Sequence, residues 1–269
     1  RSSFCGAQNT IIIQDNTFTD NIEGIVLFGL DYAGITGNSF TVPAANNEKD
    51  PVGIFAIASS ALLIENNLFT SLGASTTNRG IILDGSSPDP SLLHLNTFID
   101  FFAETQAQGN NSTLQISCND YIGLNANPNI FAIAVTSGTL ADQGDCGTVP
   151  AGNTWDNPGC AGNEGQIFKD ASVPSFNYYA HSDLIPTCVS ASVNVVNCGV
   201  SSTDPNALCE PTIINCNPAC LKVLIQDIIT EIAALNDQFD GGDKQFLLDK
   251  INEGHQFPFP FDKLIALPA

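Results

Sequence analysis

Positive charge is what this sequence has least of. Its 269 residues include 8 Lys and Arg against 28 Asp and Glu, a formal net charge of −20. A surface so biased repels phosphate backbones and anionic headgroups, so no nucleic acid and no anionic membrane surface is expected as a partner. Charge of either sign is scarce, at 13% of residues, about half the usual share. No apolar run reaches the roughly 18 residues that a membrane span needs; the longest, Gly53–Ala58 and Ala61–Ile64, is broken by serines. Methionine is absent, even at position 1, and no basic segment leads into an apolar one at the start. That reads as a processed or excised piece of a longer polypeptide. There is no Gly-x-Ser-x-Gly elbow and no Cys-x-x-Cys pair, and His94, His181 and His255 are scattered.

The residues that are present are enough to fold. Hydrophobic residues make up 43% of the chain, which argues against disorder and for a real core. Eight of the nine cysteines fall between Cys118 and Cys220, at spacings suited to bridges rather than zinc. Disulfides are expected at Cys146, Cys160, Cys188, Cys198, Cys209, Cys216 and Cys220, which implies an oxidising, extracellular or cell-surface setting. Cys5, far from the others, is expected to be free or paired outside the chain.

The strongest signal is internal repetition. An aliphatic residue, two variable residues, Asn, one residue and an aromatic recur as Ile13–Phe18, Ile35–Phe40, Ile64–Phe69, Leu93–Phe98 and Ile116–Tyr121, with a degenerate copy at Gly152–Trp155. A second repeated strand lies between copies: Gly24-Ile25-Val26-Leu27, Gly53-Ile54-Phe55-Ala56, Gly80-Ile81-Ile82-Leu83. The run Ile54–Ala58 recurs letter for letter as Ile130–Ala134. A period of 22 to 29 residues made of short strands is one turn of a β-solenoid. Stacking sets equivalent residues about 4.8 Å apart, so Asn16, Asn38, Asn67, Asn96 and Asn119 are expected to form an amide ladder. Asn also tolerates the left-handed backbone of a turn. The aromatic two residues on then fills the coil.

These motifs resemble the right-handed parallel β-helix superfamily of pectate-lyase-like proteins. The resemblance covers roughly residues 5–155 and speaks to fold more than to activity, since such scaffolds host lyases, hydrolases, adhesins and tail spikes. Coils are expected over 1–158, continuing N-terminally of residue 1, with an irregular Cys-rich bridge over 159–217. Residues 218–269 read as a helical hairpin. There Leu221, Ile225, Ile228, Ile232, Leu235 and Phe239 keep helical spacing, and Asp243 caps a second, shorter helix.

Enzymatic chemistry finds little footing. A lyase needs Arg or Lys beside carboxylates, and a hydrolase needs paired acids. The repeat region has only Arg1, Lys49 and Arg79 as cations, and its nearest acid pair is Asp84 with Asp89. His94 reads as an outward, exposed residue. Asp237–Asp243 has the wrong spacing for a calcium loop, so no cofactor is expected, with a structural calcium ion as the one alternative.

Outward positions carry the remaining information. Val26, Phe28, Phe55, Ile57, Ile82, Phe131 and Ile133 are expected to form an apolar strip on one face, which marks a packing surface. The order of coils, Cys-rich bridge and helix with Asp240–Asp243 resembles modules of large secreted cell-surface proteins of Bacteroidota, which leave by the type IX route. The resemblance implies a structural or adhesive role and no catalytic residue. The leading expectation is thus a non-enzymatic extracellular module of a surface fibre, appendage or adhesin. Its partners would be copies of itself, other parts of a longer polypeptide, or a surface glycan. The alternatives are a polysaccharide lyase or glycoside hydrolase near Asp84, Asp89 and Arg79, and a carbohydrate-binding module using Phe28, Phe55 and Phe131.

Overall fold

Alternation of side chains along short strands builds the architecture. In Glu23–Phe28, Ile25 and Leu27 are buried while Val26 and Phe28 face out, the two-residue period of a strand with one wet face. In the computed structural model of the chain, the described residues are 11–44, 50–73, 77–123, 131–156, 165–199 and 209. All lie in the first of two units, Arg1–Ile214. The expected helical hairpin falls in the second, Asn215–Ala269, outside the described residues. Cys5, Cys160, Cys216 and Cys220 lie outside them too.

Three parallel sheets run the length of the repeat, each taking one strand per coil in chain order. The first holds Ile11–Gln14, Ala33–Thr36, Leu63–Glu65, Ser91–His94 and Leu114–Ser117. The second holds Thr17–Thr19, Ser39–Val42, Leu68–Ser71, Thr97–Ile99, Asp120–Ile122 and Thr154–Trp155. The third holds Glu23–Phe28, Val52–Ile57, Arg79–Asp84, Ala103–Gln108, Phe131–Val135 and Gly165–Lys169. Mainly β, with no helix among the described residues, this is a parallel β-helix.

Register puts like on like inside the coils. Ile13, Ile35, Ile64, Leu93 and Ile116 are successive partners in the first sheet. In the second, Phe18, Phe40, Phe69, Phe98, Tyr121 and Trp155 stack with centroids 4.7, 4.6, 4.9, 5.3 and 5.1 Å apart and planes within 12°. The strand spacing dictates that separation, and near-complete burial of the middle rings makes it favourable. The glycine near the start of the third-sheet strands is part of the same packing. A Cβ on Gly53 would sit 2.8 Å from the Phe69 ring and 2.7 Å from the Gly80 carbonyl oxygen, so a side chain there would displace the ring.

Two expectations need correction. The solenoid does not give way to an irregular bridge at 159. Gly165–Lys169 adds a sixth rung to the third sheet, and Phe176–Ala180 pairs in parallel with Val193–Asn197. The sequence conceals this because the coil motif is lost while the inward apolar residues Ile167, Phe176 and Tyr178 remain. Ile133 does not face outward: it is 1% exposed and continues the inward column Ile25, Ile54, Ile81, Thr105. The two identical pentapeptides are not equivalent in the coils, for Ile54 matches Ile133 and not Ile130. Phe131 accordingly occupies the column of Val52, Arg79 and Ala103.

The ring column sets the first test. Phe69→Ala removes a fully buried ring from between two others and is expected to cost about 3–5 kcal/mol in denaturant unfolding. Phe28→Ala, at a residue 78% exposed, is expected to change stability by no more than about 0.5 kcal/mol.

Candidate functional site

A sharp corner joins the first sheet to the second in every coil. The residue that turns it has positive φ: Asp15, Gly37, Asn66, Leu95, Cys118 and Gly152, between 54° and 66°. Each immediately precedes a ladder asparagine. The left-handed position is therefore not the repeated Asn, as the motif suggested, but its neighbour, which varies freely. A leucine there is unfavourable on its own and is held in place by the asparagine after it.

Asn16, Asn38, Asn67, Asn96 and Asn119 form a continuous amide column. The Asn38 backbone N–H and its Nδ2 both donate to Asn67 Oδ1, at 2.9 and 3.0 Å. The same Nδ2 donates to Thr36 O in its own coil and Ile13 O in the preceding one. Asn67 repeats the pattern toward Asn96, Asn96 toward Asn119, and Asn119 toward Asn153. Asn153, in the degenerate copy, is a full sixth member, and its Nδ2 donates to Tyr178 Oη at 2.9 Å. From Asn67 to Asn153 the members are at most 2% exposed, so each unmade bond would strand a buried polar group. The repeat motif does not include Asn111, Asn78 and Gln143, which perform the same service at other corners. Asn111 Oδ1 accepts from Ser86 N, Asn78 Oδ1 from Phe102 N, and Gln143 Oε1 from Ile116 N. Each occurs without a repeated partner, which is why no periodicity announced it.

The outer face of the third sheet is apolar at its beginning and again at its last rungs, with polar residues between. One outward column runs Val26, Phe55, Ile82, Gln106, Ala134, Phe168, and the other Phe28, Ile57, Asp84, Gln108. Val26 and Phe28 are 49% and 78% exposed, whereas Phe55, Ile57 and Ile82 are half-buried. Phe131 meets Phe102 edge-on at 5.8 Å and Phe168 at 4.7 Å, so its ring is committed to packing.

Beyond the apolar stretch lies a polar chain. Arg79 Nε donates to Gln106 Oε1 at 2.7 Å, Gln106 Nε2 to Gln108 Oε1 at 2.9 Å, and Gln108 Nε2 to Asp84 Oδ2 at 3.0 Å. The guanidinium also lies 4.9 Å over Phe102, with Asp50 at 4.0 Å. Burial lowers its pKa, against the pull of Asp50. Arg79 and Asp84 are thus joined through glutamines, while Asp89 stands at a corner where its carbonyl accepts from Thr113.

His94 is buried, not exposed, with its Nδ1 3.2 Å from Ser117 Oγ. Its register partners Glu65 and Ser117 flank it on both sides, and the resulting polar row shields the ring. Cys146 and Cys198 form one disulfide, and Cys188 is bonded as well. Cys209 is joined to Cys118 across 91 residues. Cys118, whose place in a coil motif concealed a bridging role, thus ties a ladder corner to the segment beyond the solenoid.

The family described as periplasmic copper-binding protein (NosD) matches residues 3–160. No curated protein matches the chain. No solved structure does either. Copper sites draw on imidazole, thiolate and thioether donors. The sequence has no methionine, and the described cysteines are all disulfide-bonded. His94 is engaged with Ser117 and His181 with Asp183. Among the described residues no three His, Cys, Asp or Glu side chains group as a metal site would need, so this donor set does not fit copper.

The site yields two tests. Asn67→Ala leaves the buried donors of Asn38 without their acceptor and is expected to cost at least about 2 kcal/mol. Asn16→Ala, at an exposed position, is expected to cost less than about 1 kcal/mol in the same melts. After dialysis against copper, His94→Gln and His181→Gln are expected to retain as much metal as the parent by elemental analysis; loss in either would contradict the donor reading. With the coil motif, three parallel sheets and a match over more than half its length, the chain belongs to the NosD family.

Proposed function

We propose that this chain is a non-enzymatic structural module of an extracellular assembly, a stiff β-helical segment of a surface fibre, appendage or adhesin. One observation carries the reading: a hydrogen-bonded amide column and a stacked ring column run unbroken through six coils. Repeated, directional cohesion of that kind gives an elongated body resistance to bending and shear, which a spacer needs. Disulfides, together with a family named for the periplasm, support a site of action outside the cytoplasm. Export by the type IX route of Bacteroidota, within a longer polypeptide, is the finer form of the proposal.

Lateral contact falls to Val26 and Phe28, exposed apolar residues side by side on one face, with self-association as the partner of choice. The lyase or hydrolase reading is disfavoured because Arg79 and Asp84 are held in one hydrogen-bonded chain rather than flanking a cleft. The carbohydrate-binding reading loses a platform ring, since Phe131 packs between Phe102 and Phe168. The module is proposed to work without a resident cofactor.

Sedimentation over a wide concentration range, with negative-stain micrographs, tests the proposal. Association is expected in the parent and is expected to weaken at least roughly tenfold in Phe28→Asp. A strictly monomeric parent, or turnover of any uronate or neutral polysaccharide, would sink it.

A further inference from the structure

In three successive third-sheet strands the second position is glycine: Gly24, Gly53 and Gly80. In the fourth it is Glu104, between the register pairs Ala103↔Arg79 and Thr105↔Ile81. Nothing in the glycine column calls for a carboxylate. Glu104 is nonetheless fully buried, and among the described residues neither carboxyl oxygen has a hydrogen-bond partner. Its neighbours make the position still less hospitable to charge. The acids acting on it are Asp156, at the end of the second sheet's last described strand, and Asp100, at the turn leading into its own strand. From the second sheet it is faced by the buried phenol of Tyr121, whose ionisation it opposes. Tyr121 Oη has Thr105 Oγ1 at 3.4 Å as its partner. Among the described residues no cation acts on Glu104.

A carboxylate with no donor, no cation and two acidic neighbours cannot be accommodated inside a packed coil, whereas the neutral acid can. We propose that Glu104 is a proton-binding latch: the fourth coil closes on it as the neutral acid, and its ionisation loosens that coil from the fifth, at the strand Phe131–Val135.

The direction of the pH effect comes from the burial. Desolvation first, and then Asp156 and Asp100, push the Glu104 carboxyl well above the ordinary carboxylate range. The folded chain therefore binds this proton more tightly than the unfolded chain. Its contribution to stability is complete below the unfolded carboxylate pKa of about 4.3 and is lost as pH rises toward the folded value. The latch thus tightens in acid, opposite to a salt-bridged carboxylate. The inference is independent of the proposed structural role, since it concerns how the coil responds to its medium whatever the coil is for.

Thermal melts of the parent and of Glu104→Gln, taken from about pH 5 to about pH 8, provide the test. The amide of Glu104→Gln is also unpartnered, so the two curves are compared by slope and not by their offset. The parent is expected to lose roughly 3–6 °C more than the variant across that range. Glu104→Ala, which places in this column the residue that Ala132 supplies in the next strand, is expected to share the flatter profile. Hydrogen exchange of the parent is expected to show amides of Phe131–Val135 opening faster than the intrinsic pH dependence of exchange predicts as pH rises. The infrared spectrum of the parent is expected to contain a protonated-carboxyl band at neutral pH that Glu104→Gln lacks. Parallel melting profiles in all three proteins, or no such band, would overturn the proposal.

Discussion

The hydrogen bond from one asparagine to the next is the constraint on which the solenoid depends. A parallel sheet fixes the distance between coils, but at each sharp bend certain backbone groups, the N–H of the asparagine among them, lose their ladder partners. The stacked Asn replaces them. Its Nδ2 satisfies carbonyls in its own and the preceding coil, and its Oδ1 accepts two donors from the preceding coil. With corners tied in this way, residues as ill-suited to left-handed backbone as Leu95 can turn them. The ring column is a consequence, because a fixed corner places the aromatic two residues later at the same height and angle in every coil.

Periodic features are legible in the sequence because the physics that makes them is periodic. Asparagine and aromatic recur wherever a coil stacks on a coil, and five copies suffice to reveal both columns. Isolated solutions leave no such trace. Asn78, Asn111 and Gln143 each satisfy one corner once, and Glu104 is the one carboxylate among the described members of its column. Continuation of the sheets beyond residue 158 is hidden for a related reason: Gly165–Lys169 keeps its place through backbone pairing while its side chains leave the repeat. Sequence identity even misdirects at Ile133, where five matching letters lie three residues out of structural register.

Among the described residues, membership of the family is not accompanied by a group of donors for its named metal. The match to the NosD family covers the coils, and the coils are what the described structure shares with a parallel β-helix. Their interior is mostly hydrocarbon, aromatic rings and amides, with Glu104 as a buried carboxyl among them, and the described cysteines and histidines are already engaged. A repeat scaffold can diverge this way because each coil is stabilised by its neighbours rather than by a central site. Side chains at one height can change their chemistry without disturbing those above and below, as the passage from Val26 through Ile82 to Gln106 along one outward column illustrates.

The amide column also has a direction, each member donating to the next one along the chain. At Asn153 it finishes on the hydroxyl of Tyr178, beside the cross-link from Cys118 to Cys209. At Asn16, its first member among the described residues, the amide nitrogen donates to Asn38 Oδ1 and Gln14 O. Among the described coils the column is thus anchored most firmly where it meets Tyr178 and the disulfide. Force reaching the Asn119 coil is therefore handed on to the segment at Cys209 through a covalent bond and not through amides alone.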